Sequence, residues 1–495
     1  MNPRAPDRNI ASTRRGTDQF ELKTGITLRH IAIISLALLS VLVGFLLLLI
    51  PEQYQLSVVF AIPASIGVML IILNPFVGIY IYVLFEYLRP YDIIPSLMYL
   101  KIPIIVIGVT TVSWLVKLAR NKTLVWSRFS WLFFLFTALI AFTIFSADNY
   151  YFAMEISREF TLLFVIFVVA TTVVDSFSKL RKLVWLMLLI HFYLAAKGIH
   201  NYVVSQGVTG GPQTSGIVGT SFLADENDFA LALNVMIPFA FFTVTYSKKI
   251  FARLASLGIL ATLMFGVVSS FSRGGWIGLM VAMFYCLLRS KRKILSFSAA
   301  GVLFAALLLV APSKYWEEIG TISDTKETTA ATRINYWKAA VRMYLDYPVA
   351  GVGAGNGGPN MPQYVTGFDQ PSTQWGRAFH GTLPQILAEL GTIGMLLYLS
   401  MLFLMFKYLI RIRKGALANA NASEVVRYAN SLMGAVLAYL ATATFLSTAY
   451  YPQLWTMFTF AVILTRLYHD KFETESAERT EVINDPRLEV KRPLL

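Results

Sequence analysis

Apolar runs of about 20 residues recur along most of this chain, and no other feature constrains its fold as strongly. A helix of about 20 apolar residues is long enough to cross the hydrocarbon core of a bilayer. The chain is 56% hydrophobic and only 14% charged, which is typical of polytopic membrane proteins and not of soluble ones. The sequence therefore predicts an all-α integral membrane protein, a helical bundle of about 12–14 transmembrane helices.

About fourteen runs qualify as spans, and each is predicted to be helical because a bilayer offers the backbone no other hydrogen-bond partners. The weakest is residues 75–88, which begins at an Asn-Pro pair and suggests a tight hairpin with the span before it. The runs lie at residues 31–50, 56–73, 75–88, 102–118, 129–146, 160–174, 180–197, 229–246, 254–270, 274–288, 294–310, 383–406, 429–449 and 453–467.

Lysine and arginine gather in short clusters between these runs, at residues 120–128, 179–182, 248–253, 289–293 and 411–414. With fourteen spans and a cytoplasmic N-terminus, every cluster falls on the cytoplasmic side, as the positive-inside rule requires. The net charge of +14 is therefore attributed to membrane orientation, and we expect no nucleic-acid partner.

This orientation predicts how the chain is divided. We expect a cytoplasmic N-terminal tail (1–28), a first part of the transmembrane bundle (29–310), a large outer, periplasmic loop with the catalytic residues (311–382), a second part of the bundle (383–468) and a cytoplasmic C-terminal tail (469–495). The polar, Arg-rich start does not resemble a cleavable signal peptide. The single cysteine, Cys286, lies in an apolar run, which argues against a disulfide framework and a cysteine metal site.

The outer loop is about 70 residues long, and loops of that length are usually functional or disordered. Its aromatic and spaced apolar residues predict an ordered structure of short amphipathic helices and turns. The glycine-rich stretch from Gly351 to Gly358 lacks the Lys-Ser/Thr pair of a nucleotide-binding loop, so it is interpreted as a hinge or a close-packed turn.

Arginines on the predicted outer side point to an anionic ligand, because a guanidinium group binds phosphate through two donors and keeps its charge. Arg273 stands at the end of a span and is followed by two glycines that leave a helix start open to an anion. Arg333 and Arg377 lie in the outer loop, and Arg158 precedes another span. We propose these four arginines as ligands of a lipid-linked phosphate or pyrophosphate.

Alternatives remain open for some of these arginines. Arg273 would also be compatible with snorkelling to the headgroups, and Arg158 equally with a helical pair to Glu155 or Glu159. Arg342 is assigned to a structural pair with Asp346, four residues on.

His380 is the candidate catalytic base, although a lone histidine is more often structural. It lies in the outer loop beside Arg377 at the predicted membrane boundary. An imidazole titrates near pH ~6.5 and can take a proton from a hydroxyl. The charge of Arg377 is expected to lower that pKa and keep the ring neutral.

Three segments resemble the O-antigen ligase superfamily of bacterial polysaccharide ligases and polymerases. They are Phe271-Ser-Arg-Gly-Gly-Trp276, Arg333-Ile-Asn-Tyr-Trp337 running into Asp346-Tyr-Pro-Val-Ala-Gly-Val-Gly353, and Ala378-Phe-His-Gly-Thr-Leu383 running into Ala388-Glu-Leu-Gly391. Residues 219–227 also resemble the family, so the likeness covers roughly residues 215–400. The family often has Asn after the histidine, whereas this chain has Gly381.

This resemblance implies a GT-C-like membrane glycosyltransferase of the bacterial inner membrane with its active site facing the periplasm. Such an enzyme moves a glycan from undecaprenyl pyrophosphate to an acceptor hydroxyl of a lipid, saccharide or protein, with inversion and without a metal or cofactor. Ligase, polysaccharide polymerase and protein O-oligosaccharyltransferase share these motifs, so all three stay open.

Other function classes are weighed against this one. A lipid-linked glycan flippase or transporter would place functional groups near the bilayer midplane and often show internal repeats, and neither is evident here. A metal-dependent transferase would need a set of carboxylates, for which Asp225, Glu226 and Asp228 are the candidates. Residues so close in sequence diverge around a helix, so Asp225 and Asn227 are interpreted as caps of the following helix.

Overall fold

The computed structural model describes residues 52–90, 101–121, 124–208, 225–290, 293, 298, 301 and 328–473. By its internal contacts the chain divides into two compact units, residues 1–69 and 70–495. Residues 52–69, which belong to helix α1, are the described part of the first unit. Every regular element in the described ranges is helical.

The α-helices are numbered in chain order. Their bounds are α1 Glu52–Leu73, α2 Pro75–Leu88, α3 Ile102–Asn121, α4 Arg128–Phe142, α5 Tyr150–Val173, α6 Phe177–Val208, α7 Glu226–Tyr246, α8 Ile250–Ser269, α9 Arg273–Arg289, α10 Thr328–Asp346, α11 Gly357–Tyr364, α12 Thr382–Leu417, α13 Ser423–Ala443 and α14 Pro452–Tyr468. Short 3₁₀ turns occupy Thr143–Phe145, Pro371–Gln374 and Ala420–Ala422, and a π turn follows α14 at His469–Glu473.

The predicted all-α polytopic membrane fold is confirmed. Among the described residues, seven helices are long and apolar enough to cross a membrane, namely α3 to α8 and α12. Twelve of the predicted runs coincide with helices α1 to α9 and α12 to α14. The runs at 31–50 and 294–310 fall outside the described ranges, apart from residues 298 and 301.

Helix α7 lies at the centre of the bundle, where α8, α9 and α13 pack around it. Every residue from Asp228 to Thr243 is buried. The amide of Asn234 on α7 donates to the Gly275 carbonyl at 2.8 Å and to the Thr442 hydroxyl at 3.2 Å. A side chain at Gly278 would lie 1.9 Å from that hydroxyl, so the small residue permits the close approach of α9 and α13. This junction fixes the start of α9, which carries Arg273.

The segment between α9 and α12 is described from Thr328 onward and contributes most of a small separate core. Helix α10 contributes Tyr336, Ala339, Ala340 and Met343 to that core, at the spacing of one helical face. These residues pack against others that follow, namely Val352, Met361, Val365, Phe379 and Ala388. The described part of this loop therefore contains helices and turns, as expected from the sequence.

Helix α12 joins the two ends of the bundle. It has 36 residues, about 54 Å at the rise of an α-helix, and is interrupted at Gly391, where φ is 61°. Its first residue, Thr382, follows His380 closely, whereas Lys407, Arg411 and Lys414 stand near its far end. At that far end Arg181 forms an ion pair with Glu424 at 2.9 Å. The basic clusters and His380 thus occupy opposite ends of the bundle.

Candidate active site

His380 lies in a strained backbone conformation that its neighbours hold in place. Its φ is 52°, in the left-handed region, where a residue other than glycine costs of order 1–3 kcal/mol. Its backbone N–H donates to the Ser447 hydroxyl at 3.1 Å, and its carbonyl accepts from the Trp337 indole at 3.2 Å. Because both backbone groups are engaged, the direction of the imidazole is determined by residues far apart in sequence.

The imidazole of His380 is half-buried and stacks on Tyr336, with 6.4 Å between ring centroids and 21° between ring planes. Tyr336 is held by its own hydroxyl, which donates to the Gln374 side chain at 2.7 Å. Burial lowers the pKa of His380 below its ordinary value of 6.5, and Arg333 lowers it further. The imidazole is therefore neutral near pH 7 and can accept a proton.

The physical cause of this pKa shift differs in part from the sequence-based expectation. Arg377 was expected to keep the ring neutral, and it does lower the pKa of His380. Its effect is smaller than those of burial and of Arg333, while the carboxylate of Asp225 opposes all three. The sequence could not reveal these effects, because burial and the approach of α10 and α7 depend on the fold.

The N-terminus of α12 is bound to the turn between α13 and α14, residues 444–451. The Thr382 hydroxyl donates to the Leu446 carbonyl at 2.7 Å and accepts from the Thr448 N–H at 3.1 Å. The Gln385 side chain accepts from the Ala449 N–H at 3.1 Å. Ser447 belongs to the same turn, so these bonds also fix the position of the hydroxyl that accepts from the His380 N–H.

The glycine-rich segment is a close-packed turn, one of the two forms expected from the sequence. Its backbone pairs with α12, with Val352 donating to the Ala388 carbonyl at 2.9 Å and Gly353 to the Glu389 carbonyl at 3.1 Å. Gly351 has a φ of 72°, and a side chain there would lie 2.3 Å from the Glu389 backbone. No residue but glycine fits this position.

Glu389 is buried and ties this turn to the rest of the site. Its carboxyl oxygens accept from the N–H groups of Gly355 at 3.1 Å and Gly357 at 3.3 Å. The Tyr450 hydroxyl donates to the same side chain at 2.7 Å. Sequence reasoning noted Glu389 only as part of a motif and missed this role, for which the signal was a carboxyl inside an apolar span.

Arg273 is the first residue of α9, at the same end of the bundle as His380. Its neighbour Ser272 caps the helix by accepting from the Gly275 N–H at 2.9 Å, and donates to Asn227 on α7 at 2.7 Å. A side chain at Gly274 would lie 3.4 Å from Phe445, in the turn that also carries Ser447. The 444–451 turn is thus in contact with the start of α9 and with His380.

Comparison with known proteins finds similarity for part of the chain. Residues 258–399 match the family model described as O-antigen ligase. This stretch of the chain is therefore similar to the O-antigen ligase family. The teichuronic acid biosynthesis protein TuaE of Bacillus subtilis (strain 168) is 28% identical to this chain over 217 residues. That alignment spans 41% of this chain and 43% of the relative, so less than half of either protein is covered.

The segment that matches this model, residues 258–399, is here called the O-antigen ligase segment. It contains Arg273, Arg333, Arg377 and His380. Arg333 on α10 acts electrostatically on both His380 and Glu226, and Arg377 acts on His380 and Tyr336. Arg333 and Arg377 thus lie within electrostatic reach of His380, while Gly274, the residue after Arg273, lies beside Phe445 in the 444–451 turn.

Two arginines outside the O-antigen ligase segment stand at the same end of the bundle. Arg158 lies exposed on α5 and acts electrostatically on its neighbour in sequence, Glu159. Arg89 follows α2 and acts electrostatically on Glu159 and on Tyr451. Sequence reasoning missed Arg89, although it ends a span on the predicted outer side and could have been found by the same argument as Arg273.

The acidic residues before the O-antigen ligase segment have separate partners. Asp225 caps α7, because its side chain accepts from the N–H groups of Asn227 at 2.8 Å and Asp228 at 3.3 Å. Asp228 instead accepts from the Tyr451 hydroxyl at 3.3 Å. Asp225 has the predicted capping role. Asn227 does not, because it lies within α7 and bonds to Ser272.

Arg342 is structural, but in a different way from the predicted pair with Asp346. Its guanidinium donates to the Tyr364 carbonyl at 2.6 Å and to the Thr366 hydroxyl at 3.4 Å. Asp346 accepts from the Tyr364 hydroxyl at 2.9 Å. Both side chains thus bind α11 to α10 through Tyr364.

Proposed function

We propose that this protein is a glycosyltransferase of the O-antigen ligase type, which acts in polysaccharide biosynthesis. It transfers a glycan from undecaprenyl pyrophosphate to an acceptor hydroxyl. The observation that carries the proposal is the half-buried His380 imidazole, which stacks on Tyr336 at one end of the bundle and whose pKa is lowered by burial, Arg333 and Arg377. A neutral base among fixed cations suits a reaction that deprotonates a hydroxyl and releases an anion.

In the proposed reaction, the acceptor oxygen attacks the anomeric carbon of the glycan while its proton passes to the His380 imidazole. The bond from that carbon to the pyrophosphate oxygen breaks, and the electron pair leaves with the pyrophosphate. Because the nucleophile enters opposite the leaving group, the anomeric configuration is inverted. Arg273, Arg333 and Arg377 stabilise the charge that develops on the pyrophosphate, so the reaction needs no metal ion.

The proposed location is the periplasmic face of the bacterial inner membrane. The distribution of charge supports it, because the lysine and arginine clusters occupy the end of the bundle opposite His380. By the positive-inside rule, that basic end faces the cytoplasm. A donor lipid would then keep its polyprenyl chain among the helices and present its pyrophosphate at the outer boundary.

A polysaccharide polymerase is the second candidate, and the name of the aligned relative, a teichuronic acid biosynthesis protein, favours it. The chemistry at His380 would be unchanged, and the acceptor would be the growing glycan in place of another lipid or a protein.

The test is an incubation of the purified protein with a mass-tagged polyprenyl-pyrophosphate glycan and separate lipid, saccharide and protein acceptors. We expect one acceptor class to gain the tag, with an inverted anomeric linkage and with full activity in EDTA. His380→Ala and the control Lys248→Gln, a change at the opposite end, are compared in parallel. Retention of configuration, or activity that needs added magnesium or manganese, would contradict the proposal.

A further inference from the structure

A cavity of about 540 Å³ opens at the end of the bundle opposite His380. The start of α4, the C-terminal part of α12 and the end of α14 border it. Its lining includes Arg128, Arg411, Arg466 and His469, and none of the described residues that line it is acidic. The reaction proposed at His380 makes no use of this cavity.

The charges around this cavity favour a bound anion. Arg128 is the first residue of α4, where a cation faces the positive end of the helix dipole, and the first turn of α4 has no acidic residue. Arg411 on α12 is exposed and adds a second positive charge. An anion between them would relieve this repulsion and could bind both guanidinium groups.

Arg466 contributes less to anion binding, because its guanidinium already donates hydrogen bonds to carbonyls at the C-terminal end of α5. It donates to the carbonyls of Thr171 and Val174, and it lies 3.6 Å from the carboxylate of Asp470. These bonds hold the cavity wall in place and leave Arg128 and Arg411 as the residues that determine its charge.

The remaining walls are apolar and continue into a surface that faces outward from the bundle. The rings of Phe129 and Tyr408 meet at 5.0 Å in the lining of the cavity. From this end of the bundle, exposed apolar side chains continue along α4 and α12, among them Phe134, Leu135, Phe403 and Ile410. A ligand with an anionic head and hydrocarbon tails matches this combination.

Two tryptophans indicate that the cavity lies at the level of the membrane surface. Trp126 and Trp131 are exposed and flank Arg128 in sequence, with their rings edge to face at 5.4 Å. Tryptophan collects where hydrocarbon meets the headgroups, so Arg128 stands at headgroup depth.

We propose that this cavity binds the headgroup phosphate of an anionic phospholipid, whose acyl chains lie along α4 and α12. Basic pockets between transmembrane helices are suited to such headgroups. The proposal does not depend on the glycosyltransferase activity, because it is tested by lipid binding alone.

Native mass spectrometry of the detergent-purified protein with added phosphatidylglycerol or phosphatidylcholine tests this proposal. We expect retention of phosphatidylglycerol and not of phosphatidylcholine, and an affinity about tenfold weaker in the double variant Arg128→Gln/Arg411→Gln. The control is Lys248→Gln/Lys249→Gln, which removes the same charge from exposed positions at the same end. Equal losses in the two double variants would show a general effect of charge and overturn the site.

A competition experiment separates a lipid site from a site for a free anion. Inorganic phosphate at the lipid concentration should leave phosphatidylglycerol bound, because it lacks the tails that contact α4 and α12. Complete displacement by phosphate would overturn the proposal. Thermal unfolding of each variant is measured in parallel, and an Arg128→Gln/Arg411→Gln protein that melts like the parent but keeps full lipid affinity would also refute the proposal.

Discussion

The indole of Trp337 donates to the backbone carbonyl of His380 at 3.2 Å and occupies the space beside the next residue, Gly381. A side chain at Gly381 would place its Cβ 2.7 Å from the indole nitrogen. The φ of Gly381 is −174°, an extended conformation open to any residue, so the indole and not the backbone requires glycine here. This contact leaves no room for a larger side chain at Gly381 unless Trp337 moves.

Gly381→Asn should therefore displace Trp337 and release the carbonyl of His380. A displacement of the base by about 1 Å would lower turnover roughly 10- to 100-fold. Gly376→Asn is the matched control, because nothing lies within 4 Å of a Cβ there and its φ of 76° is one that Asn tolerates. Normal turnover in Gly381→Asn would mean that the Trp337 contact does not position His380.

His380 and Arg273 have different roles in the proposed reaction, so their loss should have different effects. His380→Ala should leave donor binding nearly intact and lower turnover by roughly 10²–10⁴-fold, the usual effect of losing a general base. Arg273→Ala should cost on the order of 2–4 kcal/mol of transition-state stabilisation, with only partial rescue by lysine.

Donor affinity and turnover of each purified variant distinguish these roles. If His380→Ala turns over normally, His380 only anchors the loop. If His380→Ala abolishes donor binding and His380→Arg retains it, His380 is a phosphate ligand and not the base.

The sequence predicted the bundle and the chemical types of the site residues, because both follow from local patterns. Apolar runs identified the spans, and their location on the predicted outer side made Arg273, Arg333 and Arg377 candidates for the site. It could not predict how His380 is held, since Ser447 lies 67 residues away and Trp337 lies 43 residues away. Contacts of that kind depend on which helix ends meet, and hydrophobic periodicity does not encode this.

Glu389 should stabilise the glycine-rich turn, because it is the shared acceptor of Gly355, Gly357 and Tyr450. Glu389→Ala leaves these donors buried without that acceptor, at a cost of about 2–4 kcal/mol in the free energy of unfolding. Tyr450→Phe removes one donor and should cost about 1 kcal/mol. Thermal unfolding measures both, and a Glu389→Ala protein as stable as the parent would disprove this role.

Cysteine labelling can test the sidedness of the bundle. Thr366 lies on the outer loop and Asn419 follows the far end of α12, and both are exposed. The native Cys286 is buried and should not react. In intact cells, an impermeant reagent should label Thr366→Cys and not Asn419→Cys. Labelling of both variants from one side would contradict the predicted topology.

The pH dependence of activity should report the charges around His380, because the imidazole must be neutral to act as the base. Its pKa is lowered, so activity should persist below the pH at which an ordinary histidine gains its proton and fall as the pH drops further. Arg333→Gln removes a group that lowers this pKa. The pKa then rises, and the acidic limb of kcat/KM should move to higher pH.

Asp225→Asn should move the acidic limb of kcat/KM to lower pH, opposite to the effect of Arg333→Gln. Asp225 raises the pKa of His380, so its neutralisation lowers that pKa and extends activity to lower pH, while Asn still caps α7. Arg342→Gln is the control, because Arg342 is an arginine on the same helix as Arg333 that bonds to Tyr364. The acidic limb of kcat/KM should not move in Arg342→Gln. Shifts of the same sign in Arg333→Gln and Asp225→Asn would exclude His380 as the titrating base.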